Sequence, residues 1–155
     1  MIELLLVDDH AVVREGYRRL LERRPDLHVA AEASDAEEAL QFLRNTPIDL
    51  IVLDLSLPGM GGIELTRRIL QRFPEAKILA FSMHRDPLFA SQALRAGALG
   101  YVTKSSTPET LIQAIYKVAR NEKVLSPDIA PEMAISLLEG DSNPASDLSP
   151  REFEV

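Results

Sequence analysis

The chain has no cysteine, which excludes disulfide frameworks, thiolate metal sites and cysteine nucleophiles together and leaves the core to stand on packing alone. No apolar run approaches the roughly 18 residues that a membrane helix requires. The opening Met1-Ile2-Glu3 lacks the basic segment and small-residue cleavage site of a signal peptide. No membrane partner and a cytoplasmic location are therefore expected. Positive charge is also short: 17 Lys and Arg against 24 Asp and Glu leave a net charge of -7, which suits a cation or a basic partner better than nucleic acid. Arg18-Arg19 with Arg23-Arg24, and Arg67-Arg68, are local exceptions set among helix-period apolar residues. They read as solvated helix faces or a docking rim.

What is present is globular. Hydrophobic residues make up 46% and charged residues 26% of 155, enough for one core and a tail. Leu4 to Val7 is a continuous apolar run, the pattern of a strand buried on both faces of a parallel sheet, and it stops at Asp8-Asp9. A helix is expected over Ala11 to Arg23, with Val13, Tyr17, Leu20 and Leu21 inward and Pro25 beyond it. His28 to Ala33 is a weaker strand, and the next helix starts at Ser34 or Asp35 with Ala36, Ala39, Leu40 and Leu43 inward. Ile48 to Asp54 repeats the first pattern, containing the apolar run Leu50-Ile51-Val52-Leu53 and ending in aspartate. After the turn-rich Pro58-Gly59-Met60-Gly61-Gly62, a helix carries Leu65, Ile69, Leu70 and Phe73.

Lys77 to Phe81 is the fourth strand, with Ser82 at its end. A helix over Asp86 to Ala96 stops at Gly97. Tyr101 to Thr103 is the fifth strand, closed by Lys104, and Thr107-Pro108-Glu109 opens the last helix of the unit, which closes near Asn121. Five strand-helix alternations with right-handed crossovers predict an α/β fold, a doubly wound five-stranded parallel sheet with helices on both faces. Residues 1–121 form this domain. Residues 122–147 are read as a helical extension from Val124 to Leu138 followed by the breaker-rich linker Gly140 to Asp147, and residues 148–155 as the start of another helix.

In such sheets the functional crevice lies at the carboxyl ends of the strands. Those ends supply Asp8, Asp9, Asp54, Ser82 and Lys104. Three converging carboxylates repel one another, and Mg²⁺, which needs few protein oxygens and keeps several waters, is the natural counter-ion. A phosphoryl group completes the site: Asp54 is the nucleophile, Lys104 spreads its charge opposite the metal, and Ser82 donates a hydrogen bond to it. Taken singly, each residue is better explained as a cap or turn former. The weight lies in their falling at the ends of four strands in order.

On Leu6-Val7-Asp8-Asp9-His10, Asp49 to Gly62, Ala80-Phe81-Ser82 and Gly97 to Lys104, the chain resembles the receiver domain of two-component response regulators over about Ile2 to Asn121. The resemblance implies strand order 2-1-3-4-5, a sensor histidine kinase as phosphoryl donor and Asp54 as acceptor. It further implies that Asp9 binds Mg²⁺ directly, that Asp8 acts mainly through water, and that the Ser56 backbone carbonyl is a further ligand. Ser82 and Tyr101 form the output switch it implies, and pairing of two copies would use the face of the fourth and fifth helices, from Arg85 to Arg120. Leu148 to Val155 resembles the opening of the helix-turn-helix domain of LuxR/NarL-type regulators. DNA would then be bound only through a domain not contained in these residues. One departure is Ser105 directly after Lys104, where many receivers have a proline with a cis bond; without proline that bond costs about 3 kcal/mol. His10 reads as exposed and structural rather than as a ligand.

Other functions fit less well. A phosphatase with an aspartyl nucleophile needs a second acid where Ser56 stands, and a flavin carrier needs a phosphate cradle where Asp8-Asp9-His10 stands. A receiver-like interaction module that works without phosphorylation is the remaining alternative. The expected chemistry is phosphoacceptance, not that of an enzyme acting on a separate substrate.

Overall fold

Apolar runs with no polar face have nowhere to meet water, and in the computed structural model, which describes residues 1–57, 59–83 and 86–131, they become the central strands of one parallel sheet. Strand β1 (Ile2–Val7) lies between β2 (Leu27–Ala33) and β3 (Leu50–Asp54), and β4 (Ile78–Ser82), β5 (Gly100–Thr103) and β6 (Val124–Leu125) follow in the order β2-β1-β3-β4-β5-β6. Helices α1 (Ala11–Leu21), α2 (Ala36–Asn45), α3 (Gly62–Arg72), α4 (Pro87–Arg95) and α5 (Pro108–Ala119) make the crossovers. The doubly wound order 2-1-3-4-5 is present, extended by a sixth strand.

Alternation along the strands divides the core into two layers. Leu5, Val7, Ile51 and Leu53 face α3 and α4 through Leu65, Ile69, Ala90 and Ala93. Leu4, Leu6, Leu50 and Val52 face the other way, toward Leu21 of α1 and Leu111, Ile115 and Val118 of α5. Each Leu or Ile so buried contributes about 1.5–3 kcal/mol relative to exposure. The helices start where capping chemistry permits: the Asp35 carboxylate accepts from Glu38 N–H at 2.9 Å, Asp86 from Leu88 N–H at 2.9 Å, and the Thr107 hydroxyl from Thr110 N–H at 3.3 Å. Gly97 ends the α4 segment at φ 116°, a conformation that strains any side chain.

Four expectations change. Helix α1 ends at Leu21, two residues short of Arg23, and Val13 is 39% exposed rather than packed inward. Phe73 caps α3 rather than continuing it. Val124 and Leu125, read as helix, form β6 because Val124 N–H donates to Leu99 O and Ser126 N–H to Tyr101 O, completing the free edge of β5. Beyond β6 the chain turns over residues 127–129 and is helical at Ala130 and Pro131; the rest of the helical reading (Met133, Ile135 and Leu137), the linker, the 148–155 segment, and Pro58 and Arg85 lie outside the described residues. Most of the basic clusters have acidic neighbours: Arg18 pairs with Glu32, Arg19 with Glu15, Arg24 with Glu109, and Arg67 and Arg68 share Glu64. These pairs lie on solvated helix faces.

Candidate functional site

Register brings the carboxylates together. Val7 is paired with Leu53, so the next residue on each strand, Asp8 and Asp54, emerges side by side at the carboxyl edge. Ser82 is paired with Thr103, which sets Lys104 one step beyond the Ser82 carbonyl that accepts its N–H at 2.7 Å. The Lys104 side chain then folds back across the sheet end. Its Nζ donates to Asp8 Oδ2 at 2.9 Å and to Asp54 Oδ2 at 3.2 Å, and none of the three side chains is more than 9% exposed. Phe81 lies beneath the ammonium, 5.6 Å from Nζ to the ring centroid, and Tyr17 meets that ring edge-on.

The second oxygen of each buried carboxylate is tied to backbone two residues on. Asp8 Oδ1 accepts from His10 N–H at 2.8 Å and Asp54 Oδ1 from Ser56 N–H at 2.9 Å, the Asx-turn geometry that aspartate favours after a strand. Each carboxylate is therefore aimed by the main chain on one side and by Lys104 on the other. Arg14, which the sequence pattern does not single out, steadies the turn: Nη1 donates to the Asp8 carbonyl and Nε to Glu32 Oε1 at 2.9 Å.

Asp9 completes the cluster from the rim. One donor atom from each of Asp8, Asp9, His10 and Asp54 lies within 4.8 Å of the others. Three carboxylates against one ammonium leave excess negative charge in a site that is partly out of water, so the donor set fits a hard dication such as Mg²⁺. His10 is exposed, as expected, yet its Nδ1 stands 3.2 Å from Asp9 Oδ1 and 3.4 Å from Asp8 Oδ1. Above the cluster is an open cleft of about 470 Å³, lined by His10, Val13, Tyr17, Asp54, Ser56, Met83 and Lys104. Val13 and Met83 give it an apolar rim, 39% and 69% exposed.

Ser82 and Tyr101 are both fully buried and share a side-chain hydrogen bond. All the strand-end residues expected from the sequence thus meet at one edge. Burial pushes the Lys104 ammonium down, but the Asp8 hydrogen bond and the Asp54 charge outweigh it and hold the group above the ordinary lysine range. Burial raises the Tyr101 hydroxyl, opposed by the Ser82 hydrogen bond and assisted by Asp86, Asp128 and Asp54. Tyr17 is raised by burial, opposed by Lys104 and assisted by Asp8.

Each of these three groups holds its proton more tightly folded than unfolded. Their contribution to stability is complete below about pH 10 and is lost as pH rises through their raised folded values. The urea midpoint is expected to be level up to about pH 10 and to fall as pH rises further. A midpoint that stays level above that point would mean that Lys104, Tyr101 and Tyr17 titrate as in the unfolded chain.

No helix among the described residues is long and apolar enough to cross a membrane. Residues 4–116 match the response regulator receiver domain. The whole chain is 37% identical to the response regulator UvrY of Escherichia coli K12, spanning 72% of that protein. A crystal structure of a LuxR-family two-component response regulator from Aurantimonas superposes with a TM-score of 0.85 at 54% identity, covering 88% of this chain and 97% of that one. A Salmonella typhimurium RcsB response regulator, studied for its conformational dynamism in DNA interaction, gives a TM-score of 0.81 at 26% identity over 99% of this chain and 74% of its own.

Proposed function

Since the chain belongs to the response regulator receiver domain family, with that family's Asp and Lys site and its Mg²⁺-binding donor set, we propose that Asp54 is its phosphoacceptor, that a sensor histidine kinase is its donor, and that phosphorylation drives a Ser82–Tyr101 switch. The observation that carries this is the Asp8–Lys104–Asp54 arrangement, in which one buried ammonium bridges two aimed carboxylates.

An Asp54 oxygen forms a bond to phosphorus as the bond between phosphorus and the donor's imidazole nitrogen breaks, the electron pair leaving with that nitrogen. Lys104, already within 3.2 Å of Asp54, neutralises charge on the phosphoryl oxygens. Asp9, Asp54 and Asp8, with the Ser56 carbonyl, would hold Mg²⁺, which when bound would supply further neutralisation of the phosphoryl charge. Ser82 exchanges its bond to Tyr101 for one to a phosphoryl oxygen, and the burial of the Tyr101 ring couples that change to the α4 and β5 surface. The apolar Val13 and Met83 rim is suited to a helical kinase surface, and the α4 and α5 face to pairing of two copies.

In this reading residues 1–121 are the phosphoacceptor domain, 122–147 are the connection beyond it, and 148–155 begin a helix-turn-helix domain through which DNA is bound. The output is transcriptional, as the likeness to LuxR-family regulators suggests. The test is intact mass after incubation with acetyl phosphate, comparing the native chain with Asp54→Asn. A single phosphoryl adduct that requires Mg²⁺ and is absent from D54N is expected. A folded native chain that gains no adduct would favour the phosphorylation-independent module.

A further inference from the structure

The segment after β6 is attached to the Lys104 loop by more than the sheet ladder. Thr103 N–H finds its acceptor in the Ser126 hydroxyl at 3.2 Å, so a side chain continues the β5–β6 pairing where the backbone ladder ends. That hydroxyl in turn donates to Asp128 Oδ1 at 2.7 Å. The other oxygen, Oδ2, faces away from its own segment and accepts from the Thr103 hydroxyl and, at 3.1 Å, from the Ser105 hydroxyl. Asp128 therefore grips the two residues that flank Lys104. Thr103 and Ser126 are at most 1% exposed, and Ile129, the next residue along, is fully buried in the core with Tyr101. Burial would raise the Asp128 carboxyl, but the Thr103, Ser126 and Ser105 hydroxyls outweigh it and hold the group below the usual carboxylate range, ionised and accepting.

Ser105 leaves the loop after Lys104 without the φ restraint that a proline would supply there. Hydrogen bonds from a distant segment supply a restraint of a different kind. We propose that Asp128 is a positioning residue for Lys104, fixing the Thr103–Ser105 turn from the far side so that the ammonium reaches Asp8 and Asp54. This rests on the reading of Lys104 as the group that meets the phosphoryl oxygens. The residue touches neither metal nor phosphoryl donor, and its effect is felt through loop geometry alone.

The experiment compares Asp128→Ala and Asp128→Asn with the native chain, following acetyl phosphate labelling at saturating Mg²⁺, Mg²⁺ affinity by calorimetry, and amide exchange over residues 103–106. D128A is expected to label about tenfold more slowly, the scale of a modest misplacement of a reacting group. Its Mg²⁺ affinity should be unchanged and its loop amides should exchange faster. D128N is expected close to native, because its one carbonyl oxygen can still accept from Thr103 and Ser105. A merely structural role would lower the melting temperature without splitting labelling from metal affinity. A folded D128A that labels at the native rate overturns the proposal, as does an equal loss in both quantities. Should D128A not fold, Ser105→Ala, which removes the loop end of the contact and leaves Ile129 seated, is expected to label about threefold more slowly, and native-rate labelling there overturns it. A native chain that never labels defeats the phosphoacceptor reading instead, and the exchange comparison then decides the positioning role by itself.

Discussion

Lys104→Met is expected to slow phosphorylation of Asp54 by about 10²–10³-fold at saturating Mg²⁺, the scale seen when a preorganised charge stabiliser is removed from a partly dry site. The same geometry has two further effects. The ammonium is the cation shared by Asp8 and Asp54, which are 6% and 3% exposed. Its loss strands two buried carboxylates, a change that destabilises by about 3–5 kcal/mol in comparable pairs. The same loss removes a positive charge that competes with a metal ion, so K104M should bind Mg²⁺ more tightly than the native chain. Thermal melts without Mg²⁺ should show a lowered midpoint in K104M, and adding Mg²⁺ should raise it by more than in the native chain. Equal shifts in the two proteins would mean that Lys104 and the metal do not share these carboxylates.

Gly62→Ala is expected to destabilise by about 3 kcal/mol, at the upper end for an overpacked position, and to slow labelling of Asp54 as well. A Cβ at Gly62 would collide with Leu55 Cα and stand 2.8 Å from the Asp54 carbonyl oxygen. Both are backbone, so no rotamer change relieves the clash. Relief requires moving the first turn of α3 away from the end of β3 at Asp54 and Leu55, breaking the 3.2 Å bond from Gly62 N–H to Leu55 O. Gly16→Ala is the contrast: its Cβ meets nothing within 4 Å, and in the interior of α1 it should stabilise by about 0.5–1 kcal/mol. Urea denaturation of the two variants separates crowding from propensity. A G62A chain as stable as the native one would show that α3 slides freely on the end of β3.

Most of the sheet is legible in the sequence because β1, β3 and β4 carry unbroken apolar runs that only a two-sided burial can use. The strand-end chemistry is legible for the same reason: parallel strands end on one edge, so Asp8, Asp54, Ser82 and Lys104 need only correct strand ends to be placed together. Other features leave no mark. β6 is two residues long, too short for a period of any kind. Val13 has the spacing of the buried face of α1, but periodicity identifies a face, not whether the first turn lies over the sheet or overhangs the cleft. Arg14 has the pattern of an ordinary exposed helix residue because its acceptor at the site is the Asp8 main-chain carbonyl, and a carbonyl has no residue signature. Asp128 finds Thr103 across 25 residues and Ser105 across 23, separations at which no local pattern can announce a partner.

The two borders of the sheet are finished differently. At one, β2 offers seven residues, but His28 pairs with Glu3, and Glu32 is engaged by Arg14 and Arg18. At the other, the outermost strand among the described residues is Val124–Leu125. A second chain adding itself there would find a template of two residues before the backbone turns toward Ser126 and Ile129, and at the opposite side it would meet charged and hydrogen-bonded side chains. Both are recognised defences against edge-to-edge growth. An all-parallel sheet must hold strands of long sequence separation open while it assembles. The same short strand that completes β5 therefore also limits how this chain can aggregate when it is crowded with copies of itself.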